Sequence, residues 1–93
     1  MEITYDANKR AKTLAERGLD FEEAVNVFAG FALTAADDRF DYGEDRYITV
    51  GSTGGTVVVL VWTPRESGRR IISMRKASVD ERQAYFKAMA GSG

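Results

Sequence analysis

The residues of this chain best suited to chemistry are arginines. Arg46, Arg65, Arg69, Arg70, Arg75, Lys76 and Arg82 fall in its second half. A guanidinium carries fixed donors that match a phosphate in a two-pronged way. Such groups neutralise the charge that builds on a phosphate when a ribose 2′-hydroxyl attacks it. Glu44 and Glu81 are the nearby carboxylates able to accept a proton. Tyr85, one helical turn past Glu81, can orient a nucleophile or donate to phosphate. The same residues can also form structural ion pairs, Glu44 with Arg46 and Glu81 with Arg75.

Several other chemistries are excluded. The chain has no histidine and no cysteine. This removes serine triads in their usual form, thiol nucleophiles, zinc–thiolate sites and disulfides. The acidic cluster Asp37, Asp38, Asp41, Glu44 and Asp45 lacks EF-hand spacing, so it reads as a solvated loop and no metal is expected. Gly51-Ser-Thr-Gly-Gly55 has no Gly-Lys-Ser/Thr after it and is flanked by strand on both sides, so it reads as a hairpin turn, not a phosphate loop. Trp62 ends an apolar run, where core or rim packing competes with stacking on a base.

Charge is divided along the chain. Residues 1–45 hold five Lys/Arg against eleven Asp/Glu, net −6; residues 46–93 hold eight against three, net +5. A polarised chain can present a basic working face with acidic surface elsewhere, unless the two halves interleave. The 93 residues are 44% hydrophobic and 29% charged, as in an ordinary globular protein. One domain over residues 1–90, with a flexible tail at 91–93, is expected. The longest apolar stretch, Val57 to Trp62, is too short to span a bilayer, and the first residues lack a signal-peptide pattern. A cytoplasmic location without membrane contact is expected.

The elements that must position these residues follow from periodicity. Residues 2–5 read as a strand. Asp6 caps a helix to about Arg17, with Ala7, Ala11, Leu14 and Ala15 in one stripe and Gly18 as a left-handed cap. Asp20 opens a second helix through an Asp20–Glu23 capping box, with Phe21, Ala24, Val25 and Phe28 at helical spacing. Strands are expected at 31–36, 46–50, 56–63 and 69–75, the third covered on both faces. Ser78–Glu81 is a capping box for a last helix, with Val79, Arg82, Tyr85, Phe86 and Met89 inward. The order is β-α-α-β-β-β-β-α, an α+β domain with an antiparallel sheet.

Several segments together resemble the BrnT toxin family. Tyr5-Asp6-Ala7-Asn8-Lys9 is similar to its aromatic-Asp-Pro-x-Lys start. Gly18 to Ala24 with Val27-Phe28 resembles its Gly-x-x-Phe-Glu-Glu-Ala-x-x-Val-Phe stretch. Gly43-Glu44-Asp45-Arg46 followed by Gly51 resembles its Gly-Glu-x-Arg…Gly element. Val57 to Thr63 with Arg65 resembles its long apolar strand and following arginine. Arg70-Ile-Ile-Ser-Met-Arg-Lys-Ala77 resembles Arg-Ile-Ile-Ser-Ala-Arg-x-Ala, the most specific motif, and Glu81-Arg82 with Tyr85 closes the pattern. There are departures: Glu16-Arg17 stands where the family usually has Lys-His, Ala7 replaces a proline, and Met74 replaces an alanine.

The resemblance implies a RelE-like fold, a twisted antiparallel sheet packed against helices. It implies a metal-independent endoribonuclease toxin with no cofactor, which cleaves RNA and arrests translation. Its implied partner is a BrnA-type antitoxin, a dimeric DNA-binding protein that covers the toxin, so that the toxin itself does not read operator DNA. Glu44, Arg46, Arg75, Glu81 and Tyr85 are the expected catalytic set. Arg65, Arg69, Arg70, Lys76 and Arg82 are the expected RNA-binding set. Loss of the family histidine at Arg17 motivates an alternative: a toxin-like binding module that sequesters an antitoxin or binds RNA without cutting it.

Overall fold

The computed structural model describes residues 1–92. Its elements are β1 (Glu2–Tyr5), α1 (Ala7–Arg17), a 3₁₀ turn (Phe21–Glu23), α2 (Ala24–Ala29), β2 (Leu33–Ala36), β3 (Tyr47–Thr53), β4 (Thr56–Arg65), β5 (Gly68–Lys76) and α3 (Val79–Ser92). The fold is α+β, as expected. The segment read as a tail begins inside α3, and Gly93 lies outside the described residues.

The five strands form one sheet in the order β1-β5-β4-β3-β2. β2 to β5 make an antiparallel meander. β1 instead runs parallel to β5, from Glu2↔Gly68 to Tyr5↔Ile71, so the sheet is mixed and not wholly antiparallel. The helical excursion after β1 returns the chain at the far edge, and the meander then brings β5 alongside β1 in the same direction. Gly54 and Gly55, at φ of 56° and 81°, close the β3–β4 hairpin. Two positive φ values in a two-residue turn match the right-handed twist of the strands.

β4 is central, and its valines serve both faces. Val58, Leu60 and Trp62 join Ile71, Met74, Leu19, Phe21, Ala24 and Val27 in the larger core. Val57 and Val59 join Ala77 and Tyr85 beneath α3. Gly51 permits α2 to lie close on the first face, since a Cβ there would stand 2.6 Å from Val27 Cγ1. Thr49, fully buried opposite Leu60, accepts from Trp62 Nε1 at 2.8 Å and shares a hydrogen bond with Thr34 at 2.8 Å. The one buried indole N–H is thereby satisfied.

The helices differ from simple amphipathic expectation. Asp6 caps α1 through the N–H groups of Asn8 and Lys9, and Gly18 ends it in the left-handed region at φ 69°, as the sequence predicts. No residue of α1 is buried, however, and its Ala7-Ala11-Leu14-Ala15 stripe faces solvent. Polar groups hold it instead. Arg10 forms a two-pronged pair with Asp20 at 2.8 and 2.9 Å, and Arg17 Nη1 donates to Met74 O at 2.8 Å. β1 ends opposite Ile71, so Arg17 supplies a donor to a carbonyl of β5 beyond the end of the β1 ladder.

Asp20 caps the 3₁₀ turn through Glu22 N, but the Asp20–Glu23 capping box does not close. Glu23 accepts from Asn26 and from Thr53 Oγ1, both at 2.7 Å. Val25 is exposed and Val27 takes its expected inward place. In α3 the Ser78–Glu81 box does form. Its inward line is Glu81, Tyr85 and Ala88, while Val79, Arg82, Phe86 and Met89 are exposed.

Candidate functional site

α3 covers only part of the second sheet face, the part beneath Val57 and Val59. The strand alternation decides what the rest of that face carries. Arg75 is opposite Val59, Ser73 opposite Val61, and Arg70 opposite Thr63, and cross-strand partners share a face. Arg65 continues the same alternation at the end of β4. A register shift between Val61 and Trp62 inserts one residue in β5, which is how Arg70 and Arg75, five apart, share a side. Val61 and Ser73, both half-buried, form the floor between them. Val59 and Thr63 are separated by about 13 Å along β4.

Arg46 reaches this face from the end of the loop 37–46. Its carbonyl accepts from Asp37 N at 2.8 Å, which closes the loop. Glu44 lies between two guanidiniums, with Arg46 Nε at 3.3 Å and Arg65 Nη2 at 3.4 Å. Arg46 also rests over the Tyr42 ring, 4.0 Å from its centre. Thr63, opposite Arg70, donates to Asp45 O at 2.6 Å and accepts from Arg65 at 3.3 Å. The backbone of the loop and the end of β4 are thus tied together. Arg70 has no hydrogen-bond or ion-pair partner among the described residues.

At the α3 side, Arg75 grips Glu81 with two bonds, 2.7 and 2.9 Å. This hydrogen-bonded guanidinium, with the Ser78 N–H, holds the Glu81 carboxyl down at about 2. The same pairing raises the Arg75 guanidinium. Glu81 therefore stays ionised and weakly basic near neutrality, which suits orienting Arg75 better than taking a proton.

Other expected residues fall elsewhere. Arg69 pairs with Pro64 and Lys76 with Val58, which puts both on the opposite face. Arg69 lies over the Phe28 and Trp62 rings, 4.1 and 4.7 Å from their centres, so its cation is used in packing. Trp62 itself stacks on Tyr47 and is buried. Tyr85 is a correction to the expected catalytic set: it is 2% exposed, and its hydroxyl donates to Phe31 O at 2.8 Å. A phenol committed to the core cannot reach a phosphate. Arg82 is exposed on α3 and outside these ion pairs.

The structure adds Arg39, which the acidic run around it concealed in the sequence. Asp37 is buried and binds Arg39 in two-pronged fashion at 2.7 and 2.9 Å. The bond holds the Asp37 carboxyl below its ordinary value. Arg39 is close enough to Arg75 for their like charges to oppose one another. Arg17 lines a shallow pocket with Lys9, Lys12, Thr13, Glu16, Ile72 and Ser73. That pocket borders the arginine face through Ser73.

Among the described residues no helix is long and apolar enough to cross a membrane. No three carboxylates converge there in a way that would hold a metal ion. The model of a protein family described as "Ribonuclease toxin, BrnT, of type II toxin-antitoxin system" matches residues 5–81. No curated protein matches the chain.

Proposed function

The chain belongs to the BrnT family of type II toxin–antitoxin ribonuclease toxins, and from that premise we propose that it is a cytoplasmic, metal-independent endoribonuclease acting through the arginine face. The observation that carries this reading is the gathering of Arg46, Arg65, Arg70 and Arg75 on the open part of one sheet face, with Glu44 between two of them.

Arg70, the one of these four arginines with no hydrogen-bond or ion-pair partner among the described residues, binds the phosphate backbone first. Arg75, oriented by Glu81, and Arg65 stabilise the charge that grows on the phosphate as the 2′-hydroxyl attacks. Glu44 accepts the hydroxyl proton while its two arginine neighbours bind the phosphate. As the 2′-oxygen bonds to phosphorus the bond to the 5′-oxygen breaks, leaving a 2′,3′-cyclic phosphate and a 5′-hydroxyl that takes its proton from solvent. Cleavage of RNA then arrests translation. A BrnA-type antitoxin, itself a dimeric DNA-binding protein, neutralises the toxin and carries operator recognition.

A second reading is favoured by Arg17. This residue stands where the resemblance leads one to expect a histidine, and its guanidinium is committed to Met74 O. Under that reading the protein binds RNA or an antitoxin without cutting.

The deciding experiment induces the wild type and Arg70→Ala, and follows growth, protein synthesis and total RNA. Purified protein is assayed in parallel on RNA with and without EDTA. Arrest and RNA loss in the wild type alone, insensitive to EDTA, support the ribonuclease. Intact RNA and normal growth in both would overturn it in favour of the binding module.

A further inference from the structure

The loop 37–46 carries a feature that phosphate chemistry does not use. Phe40, at its tip, is 71% exposed, the most exposed of the large hydrophobic residues. Its ring meets Tyr42 edge-on with centres 5.9 Å apart, which leaves it otherwise open. The loop beneath it is fixed from below. Buried Asp37 holds Arg39 by two bonds and accepts from Tyr42 Oη at 3.4 Å, while Tyr42 carries Arg46 on its face. Gly43, in the left-handed region at φ 72°, turns the chain, and its N–H donates to Asp41 at 3.0 Å. An aromatic ring is thus presented to solvent on a braced loop beside the arginine face.

We propose that Phe40 is a base-stacking platform that makes the site selective for unpaired RNA. This inference rests on the ribonuclease reading and adds to it the form of the substrate. The charges around the ring decide which part of a nucleotide it receives. Asp37 and Glu44 are already paired with arginines, but Asp38, Asp41 and Asp45 form no ion pair among the described residues. They repel phosphate from the loop, while the strand arginines attract it. A nucleotide therefore lies with its backbone on Arg70 and Arg75 and its base turned toward Phe40. Only an unpaired base can make that turn, because a duplex keeps its bases stacked and inward. Every base has a π-face, so the platform confers preference for single strands and little for sequence.

The test measures binding of a fluorescent, uncleavable 2′-O-methyl RNA oligonucleotide, single-stranded or annealed to its complement, by anisotropy. The wild type is compared with Phe40→Ala, Phe40→Leu and Phe40→Trp. The ring is exposed, so the fold should persist, which circular dichroism checks. Expected is about tenfold weaker single-strand binding for Phe40→Ala and Phe40→Leu, near-wild-type binding for Phe40→Trp, and no change on duplex. Unchanged single-strand affinity in Phe40→Ala, or equal loss on duplex, overturns the platform while leaving the ribonuclease intact. Failure of the wild type to bind either RNA, with Arg70→Ala indistinguishable from it, overturns both.

Discussion

Arg75 and Glu81 form a two-pronged ion pair that joins the end of β5 to the first turn of α3. Glu81 also accepts from Ser78 N at 2.7 Å, so one carboxylate both caps the helix and aims the guanidinium. The two roles separate by substitution. Arg75→Gln should abolish cleavage while costing ~1 kcal/mol or less of stability, since the pair is part-exposed. Glu81→Gln keeps the cation and relaxes its aim, so cleavage should fall about tenfold, with kcat affected more than KM. Steady-state cleavage kinetics and urea unfolding of both variants check this. Equal activity of Glu81→Gln and wild type would dissociate the pair from catalysis.

The same carboxylate sets an acid limit on stability. Its folded value of about 2 lies below the ordinary 4.5, so its contribution is fully present above pH 4.5 and is lost as pH falls toward 2. Asp20 and Asp37, lowered by Arg10 and Arg39, act in the same direction. Urea midpoints should therefore decline steadily below pH 4.5, and Glu81→Gln should flatten part of that decline. Because Glu81 stays ionised, cleavage near neutrality should show no inflection from it.

Tyr85→Phe should leave RNA cleavage at the wild-type rate. The substitution deletes one hydrogen bond to Phe31 O and keeps the buried ring, for a cost of about 1 kcal/mol in urea unfolding. A loss of cleavage beyond tenfold with the fold intact would return this tyrosine to the catalytic set.

Gly68→Ala should strike the β1–β5 ladder. A Cβ at Gly68 would stand 1.9 Å from Glu2 O and 2.7 Å from Glu2 C, both backbone atoms that cannot rotate away. Displacement of β1 should cost about 3 kcal/mol, measured as a lower urea midpoint. The pairing of Thr4 with Arg70 would loosen with it, so RNA affinity should fall too. A substitution that leaves both unchanged would show that β1 is not required to hold β5 in place.

The sequence alone determined most of the local structure, because its signals are short-range. Asp6 with Gly18, and Ser78 with Glu81, mark helix ends through groups three or four residues apart. The apolar, mostly β-branched run from Val57 to Val61 can be buried on both faces only as a central strand. The ordered motifs that resemble BrnT carried the family, and the family match bears this out.

What the tertiary structure decided was which side chains meet. Arg69 and Arg70 are adjacent in sequence and chemically alike, yet alternation along β5 sends one to the Trp62 ring and the other to the open face. The inserted residue in β5 then returns Arg75 to the side of Arg70, and no local pattern marks that bulge. Tyr85 and Phe86 both suit an inward position on α3, and packing of the helix on Val57 and Val59 chose Tyr85. Arg39 was hidden among carboxylates whose pairing depends on a loop closing from Asp37 to Arg46. Helix caps and strand runs are properties of neighbours along the chain; a site built from four elements is a property of register and packing, which only the folded sheet fixes.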